Sequence, residues 1–157
     1  MQKKCPRCED NREEVEPITV RYLLEPFLNQ SVKDDYRYFC CKNKDCSVVY
    51  FSENHNQVFS RKHVRKRVNF KLDKDEQPYP LCYCFGYRKE DIKKDVVENK
   101  ETSVDEWIKK RIKANECNCM VNNPSGSCCL EDIREAIQEI KNNRDTGSDN
   151  KNDFCCC

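Results

Sequence analysis

Fourteen of the 157 residues are cysteines, and their spacing is the chemistry most legible in the chain. Cys5-Pro-Arg-Cys8 is a C-x2-C turn, and Cys41-Lys-Asn-Lys-Asp-Cys46 is a C-x4-C turn. Spacers this short let two thiolates from one turn reach a single ion, and two such turns close a tetrahedron of soft donors around Zn2+. A site made of four thiolates leaves no position for water, so it would be structural, and its binding energy would be folding energy. Cys40 stands beside Cys41 and would give a five-residue spacer instead; we assign Cys41. His55 and His63 are competing donors, but with four cysteines at hand they read as surface residues. Any one of these cysteines alone would read as a small buried hydrophobe, which two properly spaced pairs argue against.

The later cysteines follow another pattern. Cys82-Tyr-Cys84 is followed by Cys117, Cys119, Cys128 and Cys129. In a [2Fe-2S] cluster each iron takes two thiolates, so a C-x-C pair and two ligands from elsewhere can clamp it. Spacing alone also permits zinc. Cys155, Cys156 and Cys157 end the chain and offer soft donors to a cation such as Cu+. Adjacent cysteines chelate one ion less well than a C-x2-C turn does, and a remnant with exposed thiols is the equal alternative.

These thiols must be carried by elements that the apolar pattern outlines. Tyr36 to Cys41 and Val48 to Phe51 read as short strands, and Val68, Phe70 and Leu72 alternate as one inward face would. Residues 20–29 are ambiguous. Further on the period becomes helical: Ile92 with Val96, Ile108 with Ile112, then Leu130, Ile133, Ile137 and Ile140. Ser103-Val-Asp-Glu106 has the form of a capping box and would start the second of three helices. Asn122-Asn-Pro-Ser-Gly126 is a turn by its own chemistry, and it would fold Cys119 back toward Cys129.

The charged, proline-bearing stretch from Lys71 to Pro80 reads as a connection between units. The expected fold is α+β: a small zinc-ribbon-like β-rich unit over 1–75 and a small helical cluster-binding unit over 76–141. A flexible cysteine-ended tail is expected over 142–157, where the chain turns polar and loses periodicity.

Composition bounds the rest. Hydrophobic residues make up 37% and charged residues 36%, a thin apolar content that metal staples would supplement. Neither a signal peptide nor a membrane span is apparent, so a cytoplasmic protein with reduced thiols is expected, without membrane insertion. Formal net charge is +1, which gives no global attraction to nucleic acid. Arg61-Lys-His-Val-Arg-Lys-Arg67, near Phe59 and Phe70, is a local basic run that could hold phosphates and reads more readily as a solvated face.

Several segments also carry a family resemblance. Leu81-Cys-Tyr-Cys-Phe-Gly-Tyr87, Glu90-Asp-Ile92 and Cys117-Asn-Cys-Met-Val-Asn-Asn-Pro-Ser-Gly-Ser-Cys-Cys-Leu130 resemble the N-terminal region of CopZ-type copper chaperones. Cys5-Pro-Arg-Cys8 and Phe39-Cys-Cys-Lys-Asn-Lys-Asp-Cys-Ser-Val-Val-Tyr-Phe51 resemble that region's zinc half. The resemblance covers about residues 3–141 and implies a [2Fe-2S] cluster beside a mononuclear zinc. The second half is also similar to bacterioferritin-associated-ferredoxin-like [2Fe-2S] domains, in which the last ligand stands just ahead of the final helix. By these resemblances the cluster ligands are Cys82, Cys84, Cys119 and Cys129, with Cys117 and Cys128 as the alternatives to the last two. The chaperones usually continue into a copper domain with a Met-x-Cys-x-x-Cys loop, and this chain lacks that loop.

The implied function is handling of copper or another soft metal with a one-electron centre, with conversion of Cu(II) to Cu(I) as the expected reaction. Expected partners are metal ions, with a copper-transporting ATPase or a separate copper-binding domain as candidates. A zinc-ribbon nucleic-acid or protein adaptor, a purely structural module with two zincs and a generic [2Fe-2S] electron carrier are the competing readings. No general base, nucleophile constellation or phosphate loop is present in the pattern, so enzymatic turnover is not expected.

Overall fold

The computed structural model describes residues 4–10 and 12–147, with side chains through residue 144. Strands β1 (Arg12–Val15), β2 (Tyr38–Cys41), β3 (Val48–Ser52) and β4 (Val58–Ser60) form one antiparallel sheet in chain order. The register pairs Glu14 with Phe39 and Cys40 with Tyr50, and it shifts between Val48 and Tyr50. β2 and β3 are buried along their whole length, because the sheet is covered on both faces.

One face packs under helix α1 (Pro17–Leu23) and the short helix α2 (Pro26–Asn29). Its core holds Val20, Leu23, Leu24, Tyr38, Cys40, Val49 and Tyr50. These two helices resolve residues 20–29, which periodicity leaves ambiguous. Proline stands at the first turn of each, where its missing N–H costs nothing and its fixed φ suits the helix. The other face carries Phe39, Cys41, Val48 and Phe51 together with Cys5 and Cys46. Each large side chain fully buried in these layers contributes about 1.5–3 kcal/mol.

The alternation at Val68, Phe70 and Leu72 does not make a strand. Asn69–Lys71 is a 3-10 turn that follows a first such turn at Arg61–His63. The Tyr83 hydroxyl captures this segment: it accepts from the Asn69 N–H at 3.1 Å and donates to the Arg67 carbonyl at 2.5 Å.

The second half opens with a hairpin, β5 (Pro80–Cys82) and β6 (Tyr87–Arg88), and continues through α3 (Lys89–Asn99), α4 (Val104–Lys113), α5 (Cys119–Asn122) and α6 (Leu130–Gly147). Its core consists of Leu81, Ile92, Val96, Ile108, Ile133, Ile137 and Ile140, the positions that the helical period selects. α4 does start after Ser103, but the Ser103 side chain makes no cap bond. The Thr102 hydroxyl accepts from the Val104 N–H at 3.3 Å instead. α6 runs past Asn142 to Gly147, since the polar residues there extend a helix already anchored by Ile133 to Ile140. Residues 148–157, including Cys155 to Cys157, lie outside the described residues. No helix among the described residues is long and apolar enough to cross a membrane.

The two halves touch through buried polar groups. The Thr19 hydroxyl on α1 donates to the Met120 carbonyl at 2.6 Å, and the Tyr50 hydroxyl on β3 donates to the Pro124 carbonyl at 2.5 Å. Burial holds the Tyr50 phenol well above its ordinary pKa, so it remains a donor.

Candidate metal centres

The first centre is built where the sheet's β2–β3 connection meets the N-terminal turn. Cys5 and Cys8 flank a turn closed by the Glu9 N–H on the Cys5 carbonyl at 3.0 Å. Glu9 has φ 56, which ends the turn and sends the chain toward β1. On the other side, the Asn43 side-chain oxygen accepts from the Asp45 N–H at 2.9 Å, and the Cys46 N–H reaches the Asn43 carbonyl at 3.2 Å. The four sulfurs of Cys5, Cys8, Cys41 and Cys46 lie within 4.8 Å of one another. Cys8 is 3.6 Å from Cys41, and Cys5 is 3.8 Å from Cys46. Among the described residues this is the one group of three or more His, Cys, Asp or Glu donors to converge in this way.

Strand pleating separates Cys40 from Cys41. Consecutive residues of a strand face opposite ways, so Cys41 joins Phe39 on the face with Cys5 and Cys46, while Cys40 joins Tyr38 in the core under α1. Burial pushes the Cys40 thiol up to about 11, as suits a side chain that stays protonated. The signal was present in the sequence: Tyr38 and Cys40 share one phase of β2, and Phe39 and Cys41 share the other. Cys40→Ala is therefore expected to leave the zinc content of the purified protein unchanged, as read by elemental analysis.

Neither histidine is in the group. His55 lies against the Lys4 carbonyl at 3.0 Å, and the His63 Nδ1 accepts from the Ser60 N–H at 3.0 Å. The basic run that contains His63 is spent on the chain itself. Arg65 donates to the Tyr22 carbonyl at 2.7 Å, Arg67 donates to the Pro78 carbonyl at 2.8 Å and pairs with Glu76 at 3.0 Å, and Arg61 donates to the Lys44 carbonyl.

The second centre draws on three places. The β5–β6 hairpin presents Cys82 and Cys84, its turn closed by the Gly86 N–H on the Cys82 carbonyl at 2.9 Å. α5 opens on Cys119, and Cys129 directly precedes α6. The Cys84 and Cys119 sulfurs are 3.7 Å apart, and the Cys129 thiol neighbours both Cys119 and Cys82. Cys119 is the thiol that Cys84, Cys129 and Cys117 all neighbour, and the set is more open than the first group, whose sulfurs converge within 4.8 Å.

The thiols of this set are not equivalent. The contact with Cys129 lowers Cys119 to about 5 and Cys82 to about 7, against the opposing effect of burial. The same contacts, with burial, drive Cys129 far upward. Burial raises Cys84, which accepts from the Asn118 N–H at 3.2 Å and from the Asn122 side-chain amide at 3.6 Å. Cys117 is half-buried with its thiol beside Cys119, and Cys128 is exposed.

The segment that carries Cys119 around to Cys129 closes with the Gly126 N–H on the Asn123 carbonyl at 2.8 Å. Gly126 has φ +70, and a Cβ there would lie 2.9 Å from the Thr19 hydroxyl oxygen. Gly126→Ala is expected to destabilise the protein by about 1–3 kcal/mol, with the Thr19 bond to Met120 disturbed. A denaturant melt reads the loss. Lys66 reaches the same segment, with its ammonium 3.4 Å from the Asn122 carbonyl.

Comparison with known proteins places this geometry among relatives. Residues 2–65 match the family model of the CopZ zinc-binding domain. The crystal structure of the N-terminal domain of Archaeoglobus fulgidus CopZ is similar at 26% identity, with a TM-score of 0.62, over 84% of this chain and 95% of that chain. No curated protein matches. The CopZ part of the resemblance stated from the sequence is thus supported by the family model over residues 2–65 and by the structural likeness. The residues beyond 65, which carry the second centre, fall outside the family match and are reached by the structural one.

Proposed function

We propose that this chain is a metal-handling protein in which Cys5, Cys8, Cys41 and Cys46 hold a structural zinc and Cys82, Cys84, Cys119 and Cys129 hold a [2Fe-2S] cluster. Convergence of four thiols within 4.8 Å on turns of ligand spacing is the observation that carries the zinc reading. An all-sulfur tetrad suits a closed zinc site. The more open set of the second four suits a group with two metal ions, each of which takes two thiolates. When bound, the cluster supplies a one-electron couple.

The protein's own part is to hold and bias the thiols. Cys119 and Cys82 ionise readily because Cys129 hydrogen-bonds to them, which favours loading of metal. The Asn118 and Asn122 N–H groups on Cys84 orient that sulfur and would withdraw charge from it, a lever on reduction potential. The exposed edge at Cys128 and Met120 leaves the centre near solvent, where a partner can approach. Copper fits as cargo, since thiolate-rich proteins favour the cuprous ion. A copper-transporting ATPase or a separate copper-binding domain is the corresponding partner. The assigned role is not enzymatic turnover, and the cytoplasm, with its reduced thiols, is the assigned compartment.

Anaerobic purification with metal and sulfide analysis tests the reading. The expected result is one zinc, two irons and two sulfides per chain in this scheme, with visible absorbance. A colourless protein holding two zincs would replace it by a purely structural module. Dithionite-reduced protein, mixed anaerobically with Cu(II) and a Cu(I)-specific chelator, is expected to yield the cuprous complex. Its failure to do so in a protein that holds the cluster would leave a generic one-electron carrier.

A further inference from the structure

Lys71 lies at the end of the 3-10 turn Asn69–Lys71, inside the stretch that composition marks as a connection. The residue is only 4% exposed. Its ammonium donates to the Asn43 carbonyl at 2.6 Å and to the Cys46 carbonyl at 3.1 Å. Both acceptors belong to the turn that presents Cys41 and Cys46. Among the described residues, no carboxylate comes within ion-pair distance of the Lys71 ammonium. Burying an ammonium without an opposing charge is costly, and lysine is almost never so buried unless paired.

The neighbouring thiols supply the missing opposite charge. Four thiolates around a divalent zinc carry a net charge of about −2, enclosed here by Phe39, Val48 and Phe51. We infer that Lys71 is a positioning residue for the first centre: it braces the Asn43–Cys46 turn by two carbonyl bonds and balances the excess negative charge of the loaded tetrad. This inference rests on the zinc reading above. It assigns the cation to the metal-loaded state, in which the thiolates on the ion stand beside the turn that Lys71 holds; in the metal-free protein the buried ammonium has only the two carbonyls of that turn as partners.

The two states therefore respond to Lys71 with opposite sign. Lys71→Met keeps the length and apolar stem but removes the charge and the donors. Lys71→Gln removes the charge and keeps a donor. Zinc affinity of the full chain, measured by competition with a chromophoric chelator, is expected to fall about 10–100-fold in both variants. The denaturation midpoint of the metal-free chain is expected to rise in Lys71→Met while that of the zinc-loaded chain falls. Cobalt(II) titration checks that each variant still offers four thiolates, through the intensity of its sulfur-to-metal absorbance.

Wild-type affinity in Lys71→Gln would overturn the charge assignment. Equal lowering of both midpoints in Lys71→Met would do so as well, because a merely structural residue weakens both states alike. If the wild-type chain itself binds neither zinc nor cobalt, the zinc reading fails and the inference falls with it, an outcome distinct from wild-type affinity in Lys71→Gln, which overturns the inference alone.

Discussion

Cys129→Ser abolishes the visible absorbance of the purified protein, and Cys82→Ser and Cys84→Ser do the same; this is the expected result if the second centre holds a [2Fe-2S] cluster. Cys129 is buried, lies just ahead of α6 and neighbours both Cys119 and Cys82, so its removal takes out the thiol that those two share. Serine keeps the size and loses the soft donor that iron requires. Cys117→Ser and Cys128→Ser are expected to keep the cluster with at most a shifted potential, since Cys117 neighbours Cys119 alone among the four ligands and Cys128 is exposed. Iron and sulfide content per chain, with the absorbance spectrum, measures all five variants. A normal yield from Cys129→Ser together with a bleached Cys128→Ser would exchange the two assignments.

The second large effect is on the first centre. Cys41→Ser is expected to lose zinc and with it binding free energy on the order of 10 kcal/mol, the scale for structural zinc. The visible absorbance of the second centre is expected to survive. The reason lies in which face of the sheet does what: the groups that brace the second centre, Thr19 and Tyr50, belong with the core under α1, and the zinc thiols belong to the other face. Tyr50→Phe is the complementary variant. It keeps zinc, strips the donor from the Pro124 carbonyl and lowers the yield of the second centre, at a cost of about 1–3 kcal/mol for the stranded carbonyl. Zinc content and visible absorbance, read on the same samples, separate the two outcomes. Bleaching of the second centre in Cys41→Ser would show that the faces are not separable.

Much of this arrangement is legible from residue types. The C-x2-C and C-x4-C turns, the two inner strands and the three longer helices follow from spacing and period, because thiol geometry and helix amphipathicity are local properties. The turn at Pro124 and Gly126 is of the same kind. What is not legible is whatever depends on contact between segments far apart in sequence. Val68 to Leu72 alternates like a strand, yet Tyr83 holds its backbone in a 3-10 turn. The apparent capping box fails for a local reason instead, since Thr102, one residue earlier, takes the Val104 N–H and the Ser103 side chain makes no cap bond. Lys71 reads as part of a polar linker, and only the fold brings Asn43 and Cys46 over its ammonium. The basic run reads as a surface for phosphate, while its arginines answer backbone carbonyls at Lys44, Tyr22 and Pro78.

The neighbouring pair Cys40 and Cys41 has a consequence for how the sheet forms. If β2 slides by one position against β1 and β3, the two thiols exchange faces: Cys40 turns toward Cys5 and Cys8, and Cys41 turns under α1. Both arrangements offer a sulfur on the metal side, so the ion alone cannot tell odd from even. The aromatic neighbours can. In the slipped sheet Tyr38 would bring its hydroxyl out of reach of the Lys33 N–H, which it meets at 2.9 Å in the native sheet, and Phe39 would leave the stack it makes with Phe51 at 5.7 Å. Parity of the strand is thus kept by a tyrosine and a phenylalanine, and the ion locks whichever phase those two rings have already chosen.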